Sequence, residues 1–191
     1  RQLAEIAVKG QLSMFIGAGV SMGAGLPSWG DLLLGVEDQF TPNGLESERM
    51  LGGAGAGYAG APDFLAVADW LGILASSRPD RYGRRLDLKE RIAALIEERS
   101  RHPSLLMSLL TSLPCKSVVT QNYDRLIERA YDCRNVSEKR HMANIDGVVG
   151  TGSREQDPTE MLSVIPHAPV RGADRWLLKM HGCTSEPNSI V

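Results

Sequence analysis

The sequence predicts an α/β domain: a mainly parallel sheet flanked by helices, with a helical insertion between its first two polar motifs. Two observations carry this. Short apolar runs alternate with stretches of helical periodicity along the chain, the pattern of strands joined through helices. Three of the apolar runs also end in compact polar or glycine-rich clusters. Gly17-Ala18-Gly19-Val20-Ser21 follows Leu12 to Ile16, Thr120-Gln121-Asn122-Tyr123-Asp124 follows Val118-Val119, and Lys179-Met180-His181-Gly182 follows Trp176-Leu177-Leu178. Each cluster falls where the carboxyl end of a strand belongs, and in open α/β sheets ligands bind at that edge.

The elements follow in order. Leu3 to Val8 has helical spacing and stops at Gly10. Leu12 to Ile16 is the first strand. Ser28 is an N-cap with Asp31 three residues on, and Leu32, Leu33 and Val36 form the buried stripe of the helix that follows. Residues 52–60 are glycine-rich and of low complexity, which suits a surface loop or a lid over a ligand. Asp63 caps a helix carrying Phe64, Leu65, Val67, Ala68, Leu71 and Leu74. Asp87 caps another with Leu88, Ile92, Leu95 and Ile96. Pro103 suits the first turn of a helix over Ser104 to Leu113. Ser117 to Thr120 is the next strand, and Tyr123 to Tyr131 the helix after it. Residues 132–160 are polar and carry no clear order. Met161 to Ile165 and Arg175 to Met180 read as two more strands.

Bulk properties narrow the function. The 191 residues suffice for one domain with a core, and 42% apolar with 23% charged residues is ordinary for a globular protein. A net charge of −2 without a basic run gives no footprint for nucleic acid, and 5% aromatics argues against base stacking. No apolar stretch approaches the ~20 residues of a membrane span, so no membrane role is expected. Cys115, Cys133 and Cys183 contain no C-x-x-C pair, which predicts reduced thiols in a cytoplasmic protein, no structural zinc and no metal. The chain starts at Arg1 and ends on an apolar pair, so residues 1–191 read as a single domain cut from a longer multidomain protein.

Gly17, Gly19 and Gly23 have the spacing G-x-G-x-x-x-G, which resembles the dinucleotide fingerprint of Rossmann-like folds with one extra residue. Gly17 permits a tight turn off the strand, and Gly19 lets the backbone approach a pyrophosphate. Amides at the following helix N-terminus favour negative charge, and Ser21 adds a hydroxyl donor. A nicotinamide dehydrogenase wants an acidic residue about 20 positions on, at a strand end. Glu37 and Asp38 are at that distance but fall in a predicted helix, against that class.

Taken together, Gly17 to Ser21, Gly25-Leu26-Pro27, Thr120 to Asp124 and His181-Gly182 resemble the ordered motifs of sirtuin-like NAD-consuming domains. Three departures set the chain apart from the protein-deacylating members. Tyr123-Asp124 stands where those carry Ile-Asp, Ser28-Trp29 follows Pro27 where those tend to have Phe-Arg, and no cysteine pairs follow Gly182. In these departures the chain resembles the bacterial sirtuin-like domains fused to other modules in antiphage defence proteins, including Thoeris-type effectors, which lack the zinc module.

The resemblance implies an NAD hydrolase that cleaves the nicotinamide–ribose bond to nicotinamide and ADP-ribose, with NAD as substrate and with a homo-oligomer or a fused sensor domain as partner. It also implies a further strand and a glycine/serine segment beyond Val191, near the adenine half of the cofactor. Asn122 and His181 would carry the chemistry, the amide on ribose or water and the imidazole as general base. Gly17, Ala18, Gly19, Val20 and Ser21 would hold the cofactor, with Gln121 on ribose. Asp124 would accept from the nicotinamide carboxamide, or cap the next helix. Pro27 and Trp29 would wall the nicotinamide pocket, or Trp29 would close its helix on the sheet. Lys179, two residues before His181, would share its face in a strand and could reach phosphate. Arg125 reads as a solvated or ion-paired helix residue, and His102, His141 and His167 as structural. Two other functions remain: a deacylase or ADP-ribosyltransferase of the same fold, and a non-catalytic nucleotide sensor.

Overall fold

The computed structural model describes residues 2–40, 63–100, 102–135 and 157–191. The glycine-rich run 52–60, His141 and most of the unordered stretch 132–160 lie outside the described residues.

Among the described residues, four short strands form one parallel sheet: β1 (Ser13–Ile16), β2 (Ser117–Thr120), β3 (Leu162–Ile165) and β4 (Arg175–Lys179), in the spatial order β1-β2-β4-β3. Between β1 and β2 lie α2 (Ala18–Met22), α3 (Trp29–Glu37), α4 (Phe64–Ser77), α5 (Leu88–Arg99) and α6 (Leu105–Ser112), with α1 (Gln2–Val8) ahead of the sheet. A further helix, α7, starts at residue 126 and is described through residue 135. The result is the Rossmann-like α/β arrangement with a helical insertion that the sequence predicts.

Local chemistry explains the boundaries. Gly10, at φ +67°, ends the turn after α1 in a conformation open to glycine. Ser28 accepts from the Asp31 amide at 3.2 Å and starts α3. Asp63 accepts from the Leu65 and Ala66 amides at the head of α4. Asp87 and Glu90 form a reciprocal capping box on α5. Two boundaries differ from expectation. Ser104, not Pro103, governs the start of α6, because its hydroxyl takes the Met107 amide, leaving Pro103 ahead of the cap. α7 starts three residues later than Tyr123, because residues 121–124 are held in a turn described below.

The core gathers on the sheet and the inner faces of the insertion. Leu33, Val36, Leu71, Met107, Val118, Leu126 and Leu177 are each at most 1% exposed. Full burial of such a side chain contributes about 1.5–3 kcal/mol. α3 packs on α4 and α5, and α5 also meets the 3-10 turn Pro187–Ser189 that follows the third motif. Glu37 ends α3 and Asp38 caps it, so neither sits at a strand end.

A buried polar node fixes the loop between α4 and α5. Asp80 accepts from the Tyr82 and Arg84 amides, from Arg84 Nε and from the Arg91 guanidinium at 2.8–2.9 Å. Arg91 also donates to Gln39 Oε1 and the Leu86 carbonyl, and its guanidinium lies 4.5 Å from the Phe40 ring centroid. Burial pushes the Asp80 carboxyl up, but these donors outweigh it and hold it well below the usual carboxylate range.

Candidate active site

The sheet register sets the site. Ile16 pairs with Thr120, and Thr120 with Lys179, so β1, β2 and β4 end level with one another. The three polar clusters therefore leave the sheet side by side at its carboxyl edge.

The first cluster runs from β1 directly into α2. Gly17 is the N-cap of α2 at φ −106° and ψ 179°, ordinary extended backbone, so a tight turn is not the reason for glycine there. Space is the observed feature. A Cβ built on Gly17 or on Gly19 meets nothing within 4 Å, and residues 17–19 are exposed. No side chain caps α2, and the Val20 amide donates to the Gly17 carbonyl at 3.2 Å. Val20 is half-buried against the core.

The second cluster is tied to the first by hydrogen bonds. Thr120 Oγ1 donates to the Ile16 carbonyl at 2.8 Å and accepts from the Asn122 amide at 3.1 Å. Asn122 Nδ2 donates to Ser21 Oγ at 2.8 Å, and Ser21 Oγ donates to Asp124 Oδ2 at 2.7 Å. Asp124 Oδ1 accepts from the Leu126 amide at 2.9 Å and opens α7, the capping role among its two expected ones. Ser21, Asn122 and Asp124 are all buried, while Gln121 and Arg125 are exposed. Ser21 thus departs from expectation: its single hydroxyl proton goes to Asp124, so it links two motifs where a donor to ligand was expected. Asn122 keeps its amide oxygen and its second N–H.

The third cluster closes the site. His181 lies two residues past β4, half-buried, and among the described residues its imidazole takes no hydrogen bond. Gly182 sits at φ +95°, and a Cβ there would meet the Ser189 carbonyl oxygen at 2.3 Å, so glycine is required on both counts. The chain folds back, the Val191 amide donates to the His181 carbonyl at 3.2 Å, and Tyr123 Oη donates to the Val191 carbonyl at 2.9 Å. Trp29 and Tyr123 stand with ring centroids 6.4 Å apart, and burial pushes the Tyr123 phenol up. Trp29 is partly buried against the core, and Pro27, two residues earlier, is half-buried.

Lys179 is corrected by the structure. The strand ends at Lys179, so the alternation that would pair it with His181 does not continue. Its side chain is fully buried, and Nζ donates to the Tyr123 and Asp124 carbonyls and to Glu128 Oε1 at 3.1 Å, which leaves no donor for a phosphate. Sequence reading also missed Thr184, whose amide donates to the Tyr123 carbonyl at 2.9 Å and whose hydroxyl meets Glu97 Oε1 at 2.5 Å. Glu97 in turn takes Arg129 at 2.6 Å. No local signal marked these long-range pairs. Among the histidines, His102 is exposed and His167 half-buried, both away from the three clusters in sequence. The three cysteines are free thiols, and no group of His, Cys, Asp or Glu among the described residues is placed to hold a metal. Among the described residues no helix is long and apolar enough to cross a membrane.

Residues 116–191, which contain the second and third clusters, match the SIR2-like domain family. The NAD(+) hydrolase ThsA of Enterococcus faecium is 28% identical over 138 residues, a match covering 68% of this chain and 23% of that protein. The chain thus matches less than a quarter of the relative's length. The matched region contains Asn122, Asp124 and His181; Ser21 lies on α2 and Trp29 on α3 of the helical insertion.

Proposed function

We propose that the domain is an NAD glycohydrolase, cleaving the nicotinamide–ribose bond with water to give nicotinamide and ADP-ribose. The observation that carries it is the Asn122–Ser21–Asp124 chain of hydrogen bonds, which fixes Asn122 at the level edge of β1, β2 and β4, with His181 leaving that edge two residues past β4. The similarity to an NAD(+) hydrolase supports the same reading.

The residues fit the dinucleotide. Open space over Gly17 and Gly19 suits the close approach of a pyrophosphate to the backbone. Gln121 is exposed and free to meet ribose. Pro27 and Trp29 wall the nicotinamide side, where the Trp29 ring centroid stands 6.4 Å from that of Tyr123. The free amide atoms of Asn122 orient the ribose hydroxyls and the water. The His181 imidazole accepts the proton that water gives up. Bond cleavage builds positive charge on the ribose, so orientation and electrostatic stabilisation are the enzyme's main tasks. We also propose a cytoplasmic, homo-oligomeric or sensor-fused effector that depletes NAD in antiphage defence; the support is the resemblance to bacterial defence sirtuins.

The test is nicotinamide release from NAD by the intact protein with no peptide present, beside Asn122→Ala and His181→Ala. Turnover in the parent and at least ~100-fold loss in both variants is expected, the scale of removing a positioned acid–base group. Parental turnover in either variant would remove that residue from the mechanism.

A further inference from the structure

Besides the Tyr123 hydroxyl on the Val191 carbonyl, four tethers converge on the turn at residues 121–124. Thr120 and Ser21 hold it from β1 and α2, as described. The other two come from the far side. Lys179, the last residue of β4, has a side chain with no exposure and donates to the carbonyls of Tyr123 and Asp124. Thr184, two residues past the His181-Gly182 pair, donates its amide to the same Tyr123 carbonyl.

The lysine charge is balanced by Glu128 on α7, whose Oε1 it meets at 3.1 Å while Oε2 is buried without a hydrogen bond. A buried ion pair of this kind is a poor source of stability, since desolvation offsets the Coulomb attraction. An apolar pair of similar size would hold the fold as well. What an apolar pair would not supply is two directed bonds onto backbone carbonyls of one turn.

We infer that Lys179 is a positioning residue, which fixes the Asn122 turn relative to the strand end that carries His181. This rests on the roles of Asn122 and His181 given above. The two groups come from different strands, and Lys179 and Thr184 are the groups that bond from β4 and its extension onto the backbone carbonyls of the turn among the described residues. A misplacement of about 1 Å between reacting groups can cost ~100-fold in rate while binding persists.

The experiment uses the intact protein with Lys179→Arg, Lys179→Met and the double variant Lys179→Met/Glu128→Gln. The double variant removes the uncompensated buried carboxylate that would unfold the single one. For NAD cleavage, kcat is expected to fall 10- to 100-fold in the double variant, with KM within about 3-fold of the parent. Lys179→Arg is expected to recover part of kcat. Parental kcat in the double variant, or a loss confined to KM, overturns the inference. Amide hydrogen exchange provides a readout independent of turnover. Leu126 and Thr184 should exchange at least ~10-fold faster in the double variant and near the parental rate in Lys179→Arg. Unchanged protection overturns the lysine tether even if the parent fails to cleave NAD, whereas faster exchange in the double variant together with no turnover in the parent counts against the hydrolase reading alone.

Discussion

Asn122 Nδ2 lies 2.8 Å from Ser21 Oγ, a contact between two residues 101 positions apart in the chain. It joins the glycine-rich junction after β1 to the polar turn after β2, and Ser21 passes the connection on to Asp124 and the head of α7. One buried hydroxyl thus sets the orientation of the amide and of the helix that follows it.

Ser21→Ala removes that hydroxyl. The Asn122 amide and the Asp124 carboxylate each lose a buried partner, so we expect a stability loss of about 1–3 kcal/mol, measured by urea denaturation. NAD turnover should fall further than stability alone explains. Full turnover in folded Ser21→Ala would show that the link does not orient Asn122.

Gly17 and Gly19 give a cleaner separation of folding from binding. A methyl group at either position meets no atom within 4 Å, and Gly19 lies inside a helix where alanine is favoured by about 0.5–1 kcal/mol. Gly19→Ala should therefore be as stable as the parent or more so, with weaker NAD binding by calorimetry. Undiminished affinity would show that no ligand approaches that backbone.

Gly182→Ala should behave in the opposite way. Its positive φ costs on the order of 1–3 kcal/mol for any other residue, and the contact with the Ser189 carbonyl adds to it. Gly25, at φ +88° with open space around its Cβ position, pays only the first cost. Thermal unfolding should rank Gly182→Ala below Gly25→Ala, and the reverse order would contradict the described turn.

Asp80 predicts an acid dependence of stability. Its carboxyl is held below the usual range in the folded state, against roughly 3.9 unfolded. The stabilisation is therefore complete above the unfolded value and is lost as pH falls toward the folded one. Breaking a buried pair costs about 3–5 kcal/mol, so Asp80→Asn should lose on that order at pH 7, with the gap to the parent narrowing below about pH 4. A gap independent of pH would mean that Asp80 is not the charged centre of the node.

Much of this was legible in the sequence because it is local. Ser28, Asp63 and Asp87 cap helices within three residues of themselves, and short apolar runs mark the strands whose level ends make the site. Lys179 was misread because the period of two holds only inside a strand, and the chain leaves β4 there. Pro103 was misread because a hydroxyl acceptor at Ser104 outcompetes a proline preference. The Asp80–Arg91 node did leave a trace: Arg91 falls on the apolar stripe of α5 with Leu88, Ile92, Leu95 and Ile96, and a charge on a buried face requires a partner. Which residue supplies it depends on a loop path that no local pattern encodes.

The most direct measurement is the product balance of NAD incubated with the intact protein in the absence of any acyl-lysine peptide. Nicotinamide and ADP-ribose rising together in equal amounts is the predicted result. NAD recovered intact at every enzyme concentration, or nicotinamide released only when an acyl-lysine acceptor is added, would contradict the hydrolase reading.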